Sequence, residues 1–329
     1  MLGVVLVLLL AYSADQLLND TGYVRMPTAR TRTDHRRTSM SAVTWPLQGQ
    51  AALVLGNGRP AASPDQQPVP IASVAKVMTA YLVLKRYPLS GAQEGFTFTV
   101  TKAEVQHEAP DASENQSRVA VAAGEELTER QLVEALLIPS GNNIAWILAA
   151  QVAGSATGFV AEMNAEAHAL GMDHTTYTDP SGFDPGTVST AADQLRVLRK
   201  AMRFAVFQEI VSMRSVTLPV AGTVANFNPL ITDGYAGKTG SDSAAGGCLA
   251  FFTEVTVGGR PETAVGVVLG QGQGSNTQAI LAAAGEAAHQ LVDSVAPAAG
   301  GPTIASPGIN HANEDGQSRL LPPSPPGSN

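Results

Sequence analysis

The sequence predicts a mixed fold, α/β plus all-α, in which helices flank an antiparallel sheet and a helical subdomain is inserted between its strands. One β segment, "SAVTWPLQGQAALVLGNG", comes early and ends at a Gly-Asn-Gly turn. Helical patterns dominate the middle of the chain, and strand patterns return after about Arg214. Neither set of strands makes a complete sheet alone, so we expect both sets to share one antiparallel sheet.

The first helix is expected from about Ser73 to Tyr87. The chain from 88 to 126 is mixed, with the short strand-like pieces "FTFTV" and "SRVAVAAG". Thr128, with Gln131 three residues later, is the predicted cap of the helix "ERQLVEALL". The stretch "IPSGNN" ends that helix, and the apolar helix "IAWILAAQVA" begins at once.

Two further helices complete the helical part. "GFVAEMNAEAHAL" is amphipathic and stops at Gly171, and "STAADQLRVLRKAMRF" is capped by Ser189 or Thr190. The next predicted strands are "RSVTLPVAG", "GYAGKTG", "GGCLAFFTEVTV" and "ETAVGVVLG", the last two joined by a Gly258-Gly259 turn. A final helix, "TQAILAAAGEAAHQLVDSV", closes the folded body.

Composition excludes some classes of protein. The chain has 329 residues, with a hydrophobic content of 44% and a charged content of 15%, as in an ordinary globular protein. Its formal net charge of −8 argues against nucleic acid as a partner, because phosphate binding needs a basic surface. Cys248 is the single cysteine, so no internal disulfide can form.

The two ends of the chain differ in composition from the body at 42–296. Residues 1–20 contain a short apolar run, which we interpret as a signal peptide or membrane anchor, with a buried strand or helix as the alternative. Residues 21–41 form an arginine-bearing linker. Residues 297–329, with seven of the 21 prolines, are expected to be a disordered tail. The helical part, at about 88–205, is then inserted in the α/β part of the body.

Lys76 lies in a helix that is apolar almost all the way round, within "PIASVAKVMTAYLVLK". A charge in such a helix is costly unless it has a partner or a task. Ser73 lies three residues earlier, on the same face of that helix. Ser73 is therefore either a helix cap in front of a stray lysine or a nucleophile beside its base.

Three short motifs carry the chemistry: Ser73-Val-Ala-Lys76, Ser140-Gly-Asn142 and Lys238-Thr-Gly240. Each is weak by itself, because S-x-x-K and S-x-N occur often by chance and a lysine at a strand end is usually solvated. Together, and in this order, they are the signature of class A β-lactamases and penicillin-binding proteins.

Within that group, the chain resembles the serine D-alanyl-D-alanine carboxypeptidases, the low-molecular-mass penicillin-binding proteins. The resemblance extends to "LVEALLIPSGNNIAWILA", "MNAEAHALGMDHTTYTDPSGF", "STAADQL" and "DGYAGKTGSDSAAGGCL", and covers most of residues 44–290. It implies the β-lactamase/DD-peptidase fold, with 42–296 as the catalytic domain. It also implies an extracytoplasmic protein, secreted or attached through its N-terminus to the outer face of the bacterial plasma membrane.

The resemblance implies a role for each residue of the first two motifs. Ser73 attacks the carbonyl of the D-Ala–D-Ala bond and forms an acyl-enzyme. Lys76 acts as its base, once burial and the charge of Lys238 have lowered its pKa from about 10.4. Ser140 relays the proton to the leaving nitrogen, and Asn142 holds Lys76 and the substrate amide in place.

The third motif is expected to bind the substrate. Lys238 and Thr239 pair with the terminal carboxylate, and Gly240 leaves room for the peptide to lie along the strand. The backbone N–H groups of Ser73 and Ser241 form the oxyanion hole. No metal or organic cofactor is required. The expected partners are peptidoglycan stem peptides, which lose their terminal D-alanine, and β-lactam antibiotics as covalent inhibitors.

Two other functions share these motifs. A class A-like β-lactamase also needs a glutamate in an E-x-x-L-N context, and no glutamate lies between Glu166 and Glu209. Asp179, Asp184 and Asp193 are the carboxylates that could assist a water there, although each fits a turn or cap. A non-hydrolytic β-lactam sensor would keep the nucleophile, whereas a peptidoglycan-binding relic would be expected to have lost a motif residue.

Overall fold

The computed structural model describes residues 43–107, 116–274 and 276–296. The predicted signal peptide or anchor (1–20), the linker (21–41) and the tail (297–329) lie outside these residues. The domain boundaries therefore stay predictions.

The strands of the main sheet come early and late in the described chain, most of the helices lie between them, and one helix follows the last strand. The strands are β1 (Gln50–Leu55), β2 (Ala61–Ala62), β3 (Val69–Pro70), β4 (Thr97–Thr99), β5 (Glu126–Thr128), β6 (Val188–Ser189), β7 (Ser215–Leu218), β8 (Gly222–Ala225), β9 (Ala236–Asp242), β10 (Gly246–Val257) and β11 (Arg260–Gln271). The helices are α1 (Lys76–Arg86), α2 (Lys102–His107), α3 (Glu129–Leu137), α4 (Asn142–Ala153), α5 (Ala156–Ala169), α6 (Ala191–Ala201), α7 (Ala205–Val211) and α8 (Thr277–Asp293), with 3-10 turns at Ala72–Ala75 and Ile231–Asp233.

Five strands form one antiparallel sheet in the order β2-β1-β11-β10-β9. Val54 of β1 lies opposite Val265 of β11. Ala250 of β10 lies between Val267 of β11 and Lys238 of β9. The early strand and the late strands thus share one sheet, which confirms the prediction. β9 is the outermost strand of that sheet.

The sheet is covered on both faces. α8 packs against one face, where its small and branched residues meet Leu53, Phe251 and Val268. α6 packs against the other face, and α1 packs against α6 within the same apolar core. Because both faces are buried, β1 and the central parts of β10 and β11 are continuous apolar runs.

The predicted caps are confirmed. The Thr128 side chain accepts a hydrogen bond from Gln131 N, and the Gln131 side chain accepts one from Thr128 N, which makes a capping box at the start of α3. Thr190, one of the two predicted candidates, caps α6 by accepting from Asp193 N. Gly171 follows α5 with a φ of 69°.

Two predicted strands differ in the structure. "SRVAVAAG" is not a strand, because the Asn143 side chain bonds both backbone groups of Val119, at 3.1 and 2.8 Å. The strand of that region is β5, which pairs with β4. "RSVTLPVAG" does not join the main sheet but forms a separate ribbon of β7 and β8, because a tight turn folds β7 back on the next four-residue strand.

The described helices are mostly short. No single one of them is long and apolar enough to cross a bilayer, although α4 and α5 pass that test as a pair bent by 83°.

Candidate active site

The turn that carries Ser73 is strained. Residues Ala72–Ala75 form a 3-10 turn, and only from Lys76 does the chain continue as α1, which corrects the prediction of a helix from Ser73. Ala72 has a φ of 44°, a region that non-glycine residues rarely enter. The N-cap residues of the turn and of α1 are Ile71 and Ala75, and neither makes a side-chain cap bond, so Ser73 is not a cap residue. Strain of this kind persists where the surrounding structure over-determines it.

Two glycines pack against the backbone of this turn. A Cβ on Gly182, whose φ is 77°, would lie 1.9 Å from Ala72 O. A Cβ on Gly240 would lie 2.8 Å from Ile71 O and 3.2 Å from Ser73 N. The missing side chain of Gly240 thus makes room for the Ser73 turn. That it also leaves room for a substrate strand stays a prediction.

Lys76 connects three separate segments of the chain. Its Nζ lies 2.7 Å from Ser73 Oγ in the turn and 2.6 Å from Asn142 Oδ1 at the start of α4. It also donates to Ser181 O, at 2.9 Å, in the loop before β6. Each acceptor therefore fixes the position of the amine relative to the Ser73 hydroxyl.

The Lys76 amine is completely buried. Burial lowers the pKa of Lys76 well below its usual 10.5, and the charge of Lys238 lowers it further, while Asp179 opposes the shift. Desolvation by burial is thus the main cause of the lowered pKa. A lysine in this environment favours its neutral form.

Ser140 lies in the turn between α3 and α4. It has a φ of 62°, and Gly141 N holds the turn by donating to Ala135 O at 3.0 Å. Asn142 N donates to Ser117 O at 2.9 Å. Ser140 Oγ is buried and has no hydrogen-bond partner within the described part of the chain. A buried hydroxyl without a partner is costly, and marks a place where a ligand can bond.

The third motif lies on the outermost strand, β9. Lys238 is buried, and burial lowers the pKa of its amine to about 7. Its Nζ donates to Thr239 O at 2.8 Å. Neither the Thr239 nor the Ser241 hydroxyl has a hydrogen-bond partner among residues 43–107, 116–274 and 276–296. This strand therefore offers one amine and two hydroxyls beside the Ser73 turn.

Asp179 organises the loop that supplies the third acceptor of Lys76. Its carboxylate accepts hydrogen bonds from Ser181 N, Ser181 Oγ, Gly182 N, Phe183 N and Thr187 Oγ1. Thr79 of α1 adds a bond to Pro180 O, at 2.6 Å. The loop is thereby held so that the Ser181 carbonyl faces Lys76 and Gly182 faces the Ser73 turn.

Sequence reasoning missed this loop as part of the site. The acceptor is a backbone carbonyl, which cannot be inferred from residue type, and the only available signal was the Asp-Pro-Ser-Gly run.

The other two candidate carboxylates also serve the local backbone. Asp184 accepts from Gly186 N, and Asp193 accepts from His174 N and Thr175 Oγ1. Together with Asp179, these carboxylates serve turns and caps, as the sequence suggested.

The structure brings most of the predicted site residues together. Ser73 and Asn142 each contact Lys76, and the charge of Lys238 acts on Lys76. Ser140 makes no hydrogen bond to them within the described residues. In the same part of the chain, no three His, Cys, Asp or Glu side chains lie together in a way that could hold a metal ion.

The comparison with known families agrees with this geometry. The family model described as D-alanyl-D-alanine carboxypeptidase matches residues 60–271, more than half of the chain, and these include every predicted site residue. This chain belongs to the D-alanyl-D-alanine carboxypeptidase family. The resemblance inferred from the motifs is therefore confirmed.

Relatives within the D-alanyl-D-alanine carboxypeptidase family bear two kinds of name. The chain is 33% identical over 203 residues to a D-alanyl-D-alanine endopeptidase of Pseudomonas aeruginosa, a match that covers 57% of this chain and 60% of that protein. It is 34% identical over 210 residues to a D-alanyl-D-alanine carboxypeptidase of Mycobacterium tuberculosis, covering 61% and 68%. The chain thus spans about 60% of the length of the first of these relatives.

Solved structures share the fold of this family member. The Streptomyces K15 DD-transpeptidase superposes with a TM-score of 0.64 at 24% identity, covering 77% of this chain and 99% of that one. A penicillin-binding protein homologue of Mycobacterium tuberculosis superposes with a TM-score of 0.62 at 28% identity, and the match covers 77% of this chain and 94% of that one. The predicted fold class is confirmed.

Proposed function

We propose that this chain is a serine-type D-alanyl-D-alanine carboxypeptidase that works through an acyl-enzyme on Ser73. The observation that carries the proposal is the set of contacts of Lys76 Nζ with Ser73 Oγ, Asn142 Oδ1 and Ser181 O. A neutral amine has two N–H groups and one lone pair. It can donate to Asn142 and Ser181 while its lone pair receives the hydroxyl proton of Ser73.

The reaction then has two halves. Ser73 Oγ bonds to the D-alanyl carbonyl carbon as its proton passes to Lys76. Lys76 then returns that proton through Ser140 to the leaving nitrogen as the C–N bond breaks. D-Alanine departs. Water next attacks the acyl ester and gives a proton to Lys76, which passes it to Ser73 Oγ as the ester bond breaks. The Ser140 hydroxyl is buried and has no hydrogen-bond partner among the described residues, which supports its role as relay.

The outermost strand is proposed to bind the terminal carboxylate and the oxyanion. Lys238 and Thr239 offer a charge-assisted pair to the carboxylate. The position of Gly240, whose Cβ would lie 3.2 Å from Ser73 N, puts β9 directly against the Ser73 turn. That closeness supports an oxyanion hole made by the N–H groups of Ser73 and Ser241.

The same proposal covers partners and place of action. Peptidoglycan stem peptides are the substrates, β-lactams are covalent inhibitors, and the protein acts outside the cytoplasm, with residues 1–20 as signal peptide or anchor. Because Asp179, Asp184 and Asp193 are engaged in turns and caps, we expect penicilloyl-Ser73 to hydrolyse slowly. Endopeptidase action is a second candidate, since the Pseudomonas aeruginosa relative bears that name.

The test is mass spectrometry of the protein with benzylpenicillin over hours, with Ser73→Ala as control. A stable adduct that the variant lacks supports the nucleophile, and rapid turnover to penicilloate supports a β-lactamase instead. Release of D-alanine from a stem-peptide mimic then separates a carboxypeptidase from a sensor, and cleavage of a cross-linked dimer identifies an endopeptidase. No adduct and no turnover would contradict the proposal.

A further inference from the structure

The peptide unit between Ser181 and Gly182 is hydrogen-bonded at both ends. Its carbonyl oxygen, Ser181 O, accepts from Lys76 Nζ at 2.9 Å, and its amide, Gly182 N, donates to Asp179 Oδ1 at 3.0 Å. Because the C=O and N–H groups of a trans peptide point in opposite directions, Lys76 and Asp179 lie on opposite sides of this unit. A line of two hydrogen bonds therefore connects the carboxylate to the proposed base.

The carboxylate at the far end of this line is buried among neutral donors. Asp179 is 5% exposed, and besides Gly182 N it accepts from Ser181 N, Ser181 Oγ, Phe183 N and Thr187 Oγ1. An ionised carboxylate only accepts hydrogen bonds, so five donors suit this form. Because the donors are uncharged, their bonds fix the carboxylate in place without cancelling its charge.

Among the described residues, two charges act on the Lys76 amine, and they have opposite signs. Lys238 of β9 disfavours the ammonium form, whereas Asp179 favours it. The three hydrogen-bond acceptors of the amine are neutral oxygens. Three further charged side chains line the cavity next to Asp179, and theirs are not among the charges that act on Lys76: Glu104, Arg118 and Asp184.

The base needs such a partner once it has taken up a proton. When Ser73 gives its proton to Lys76, a positive charge forms on an amine that is completely buried, where an unpaired charge is costly. The Ser181 carbonyl stabilises this ammonium group more strongly when a carboxylate polarises the same peptide, because hydrogen bonds in a line strengthen one another. Asp179 thus acts where the charge of the acylation step appears.

We propose that Asp179 is a positioning residue of the catalytic base. Through the 181–182 peptide it orients Lys76 toward Ser73 and stabilises the ammonium group that forms as Ser73 attacks. The proton stays on Lys76 until it is returned through Ser140, and it never reaches the carboxylate. The arrangement is similar to the aspartate that orients a histidine base in serine proteases, with a backbone peptide between the two groups. This inference rests on the proposed function, because it takes Lys76 as the base.

The first measurement is the titration of Lys76 itself, followed by NMR in the unliganded full chain labelled with carbon-13 lysine. The Lys76 signal is assigned by its absence in Lys76→Arg. We expect its titration midpoint to lie at a lower pH in Asp179→Asn than in the wild-type chain, because the substitution removes the charge that favours the ammonium form. The lower inflection in the pH profile of acylation by benzylpenicillin should move in the same direction.

The rate of acylation should fall as well. In serine proteases, replacing the aspartate behind the histidine base by asparagine costs about 10⁴-fold in kcat. Because a peptide separates Asp179 from Lys76, we expect a smaller loss in Asp179→Asn, of about 10- to 100-fold in the acylation rate constant at its plateau.

Two variants separate this role from a merely structural one. Thr187→Val removes one of the five donors but leaves the carboxylate charged, so we expect slower acylation at an unchanged midpoint. Asp193→Asn removes another buried carboxylate, which accepts from His174 N and Thr175 Oγ1 rather than from the 181–182 peptide. It should change neither the midpoint nor the rate.

A measurement on the wild-type chain keeps the test independent of how Asp179→Asn folds. The carbon-13 shift of the Asp179 carboxyl should change at the pH where Lys76 titrates, because the two charges interact. A carboxyl signal that stays constant through the Lys76 midpoint overturns the inference without any variant.

The remaining outcomes distinguish this role from the proposed function. A midpoint that Asp179→Asn leaves at the wild-type pH, or that Thr187→Val moves equally far, overturns the role of Asp179 alone when the wild-type chain is acylated normally. If benzylpenicillin does not acylate the wild-type chain while it acylates a known penicillin-binding protein, the proposed function fails, and the role of Asp179 falls with it.

Discussion

Lys76 and Lys238 are both buried, yet their surroundings differ. Within the described residues, Lys76 Nζ has acceptors from the Ser73 turn, from α4 and from the loop before β6, whereas Lys238 Nζ has only the carbonyl of its neighbour Thr239. Burial lowers the pKa of both amines. The difference teaches that the arrangement of partners, and not burial, distinguishes a candidate base from a candidate anion-binding group.

Replacing the proposed base should have the largest effect. Lys76→Arg keeps a cation but removes the ability to lose a proton, so we expect acylation by benzylpenicillin to slow by about 10³-fold or more. Lys85→Arg is the matched control, because Lys85 lies on the same helix and is paired with Glu166 at the surface. Stopped-flow measurement of acylation checks this prediction, and near-normal acylation by Lys76→Arg would contradict it.

The support of the Ser73 turn should come next. Gly182→Ala drives a methyl group into Ala72 O, and we expect acylation to fall about 10²-fold as the turn shifts away from Lys76. Gly91→Ala is the control, since Gly91 also has a positive φ, of 53°, but nothing within 4 Å of its Cβ position. The control should lose only the ~1 kcal/mol of backbone strain, measured by urea unfolding. If both substitutions slow acylation equally, the positive φ and not the contact with Ala72 O would be the cause, which would contradict this prediction.

A smaller effect is expected at the other lysine. Lys238→Met should lower kcat/KM for peptides with a free terminal carboxylate by about 10- to 100-fold, mainly through KM. The control is the same peptide with its C-terminus capped as an amide. It has no terminal carboxylate, so Lys238→Met should leave its kcat/KM nearly unchanged. If the capped and free peptides suffer alike, Lys238 does not bind the carboxylate.

Stability should also report on Lys238. Its folded-state pKa, about 7, is lower than the ordinary 10.5, so between these values the unfolded chain binds more protons and the free energy of unfolding rises with pH. From pH 7 to 9 we expect Lys238→Met to remove a rise of about 1–2 kcal/mol, measured by urea unfolding. A wild-type slope that the variant retains would show that Lys238 stays charged.

The smallest effect is expected at Glu129, a buried carboxyl group outside the proposed active site. Glu129, at the start of α3, has a buried Oε1 without a partner among the described residues, and burial raises its pKa to about 7. Between 4.5 and 7 the folded state binds more protons, so its stability falls as pH rises. Glu129→Gln should therefore stabilise the protein at pH 8 by about 1–2 kcal/mol and leave acylation unchanged. A changed acylation rate would show that Glu129 influences the active site, and would contradict this prediction.

The sequence predicted the groups that carry side-chain chemistry better than the backbone that positions them. Ser73, Lys76 and Asn142 could be found because their residue types and order are informative, and the shared sheet followed from two incomplete sets of strands. The role of the Ser181 carbonyl could not be predicted, since every residue has a carbonyl. The irregular backbone of "SRVAVAAG" could not be predicted either, because the partner of Val119 is the side chain of Asn143.

The account depends on a neutral Lys76, and the rate of acylation by benzylpenicillin between pH 5 and pH 10 tests this directly. We predict a rate constant that rises through an inflection well below pH 10.5, where Lys76 loses its proton, and that falls above about pH 7, where Lys238 loses the charge that binds the carboxylate. A rate constant that keeps rising up to pH 10 would show that Lys76 titrates as an ordinary lysine, and would contradict the account.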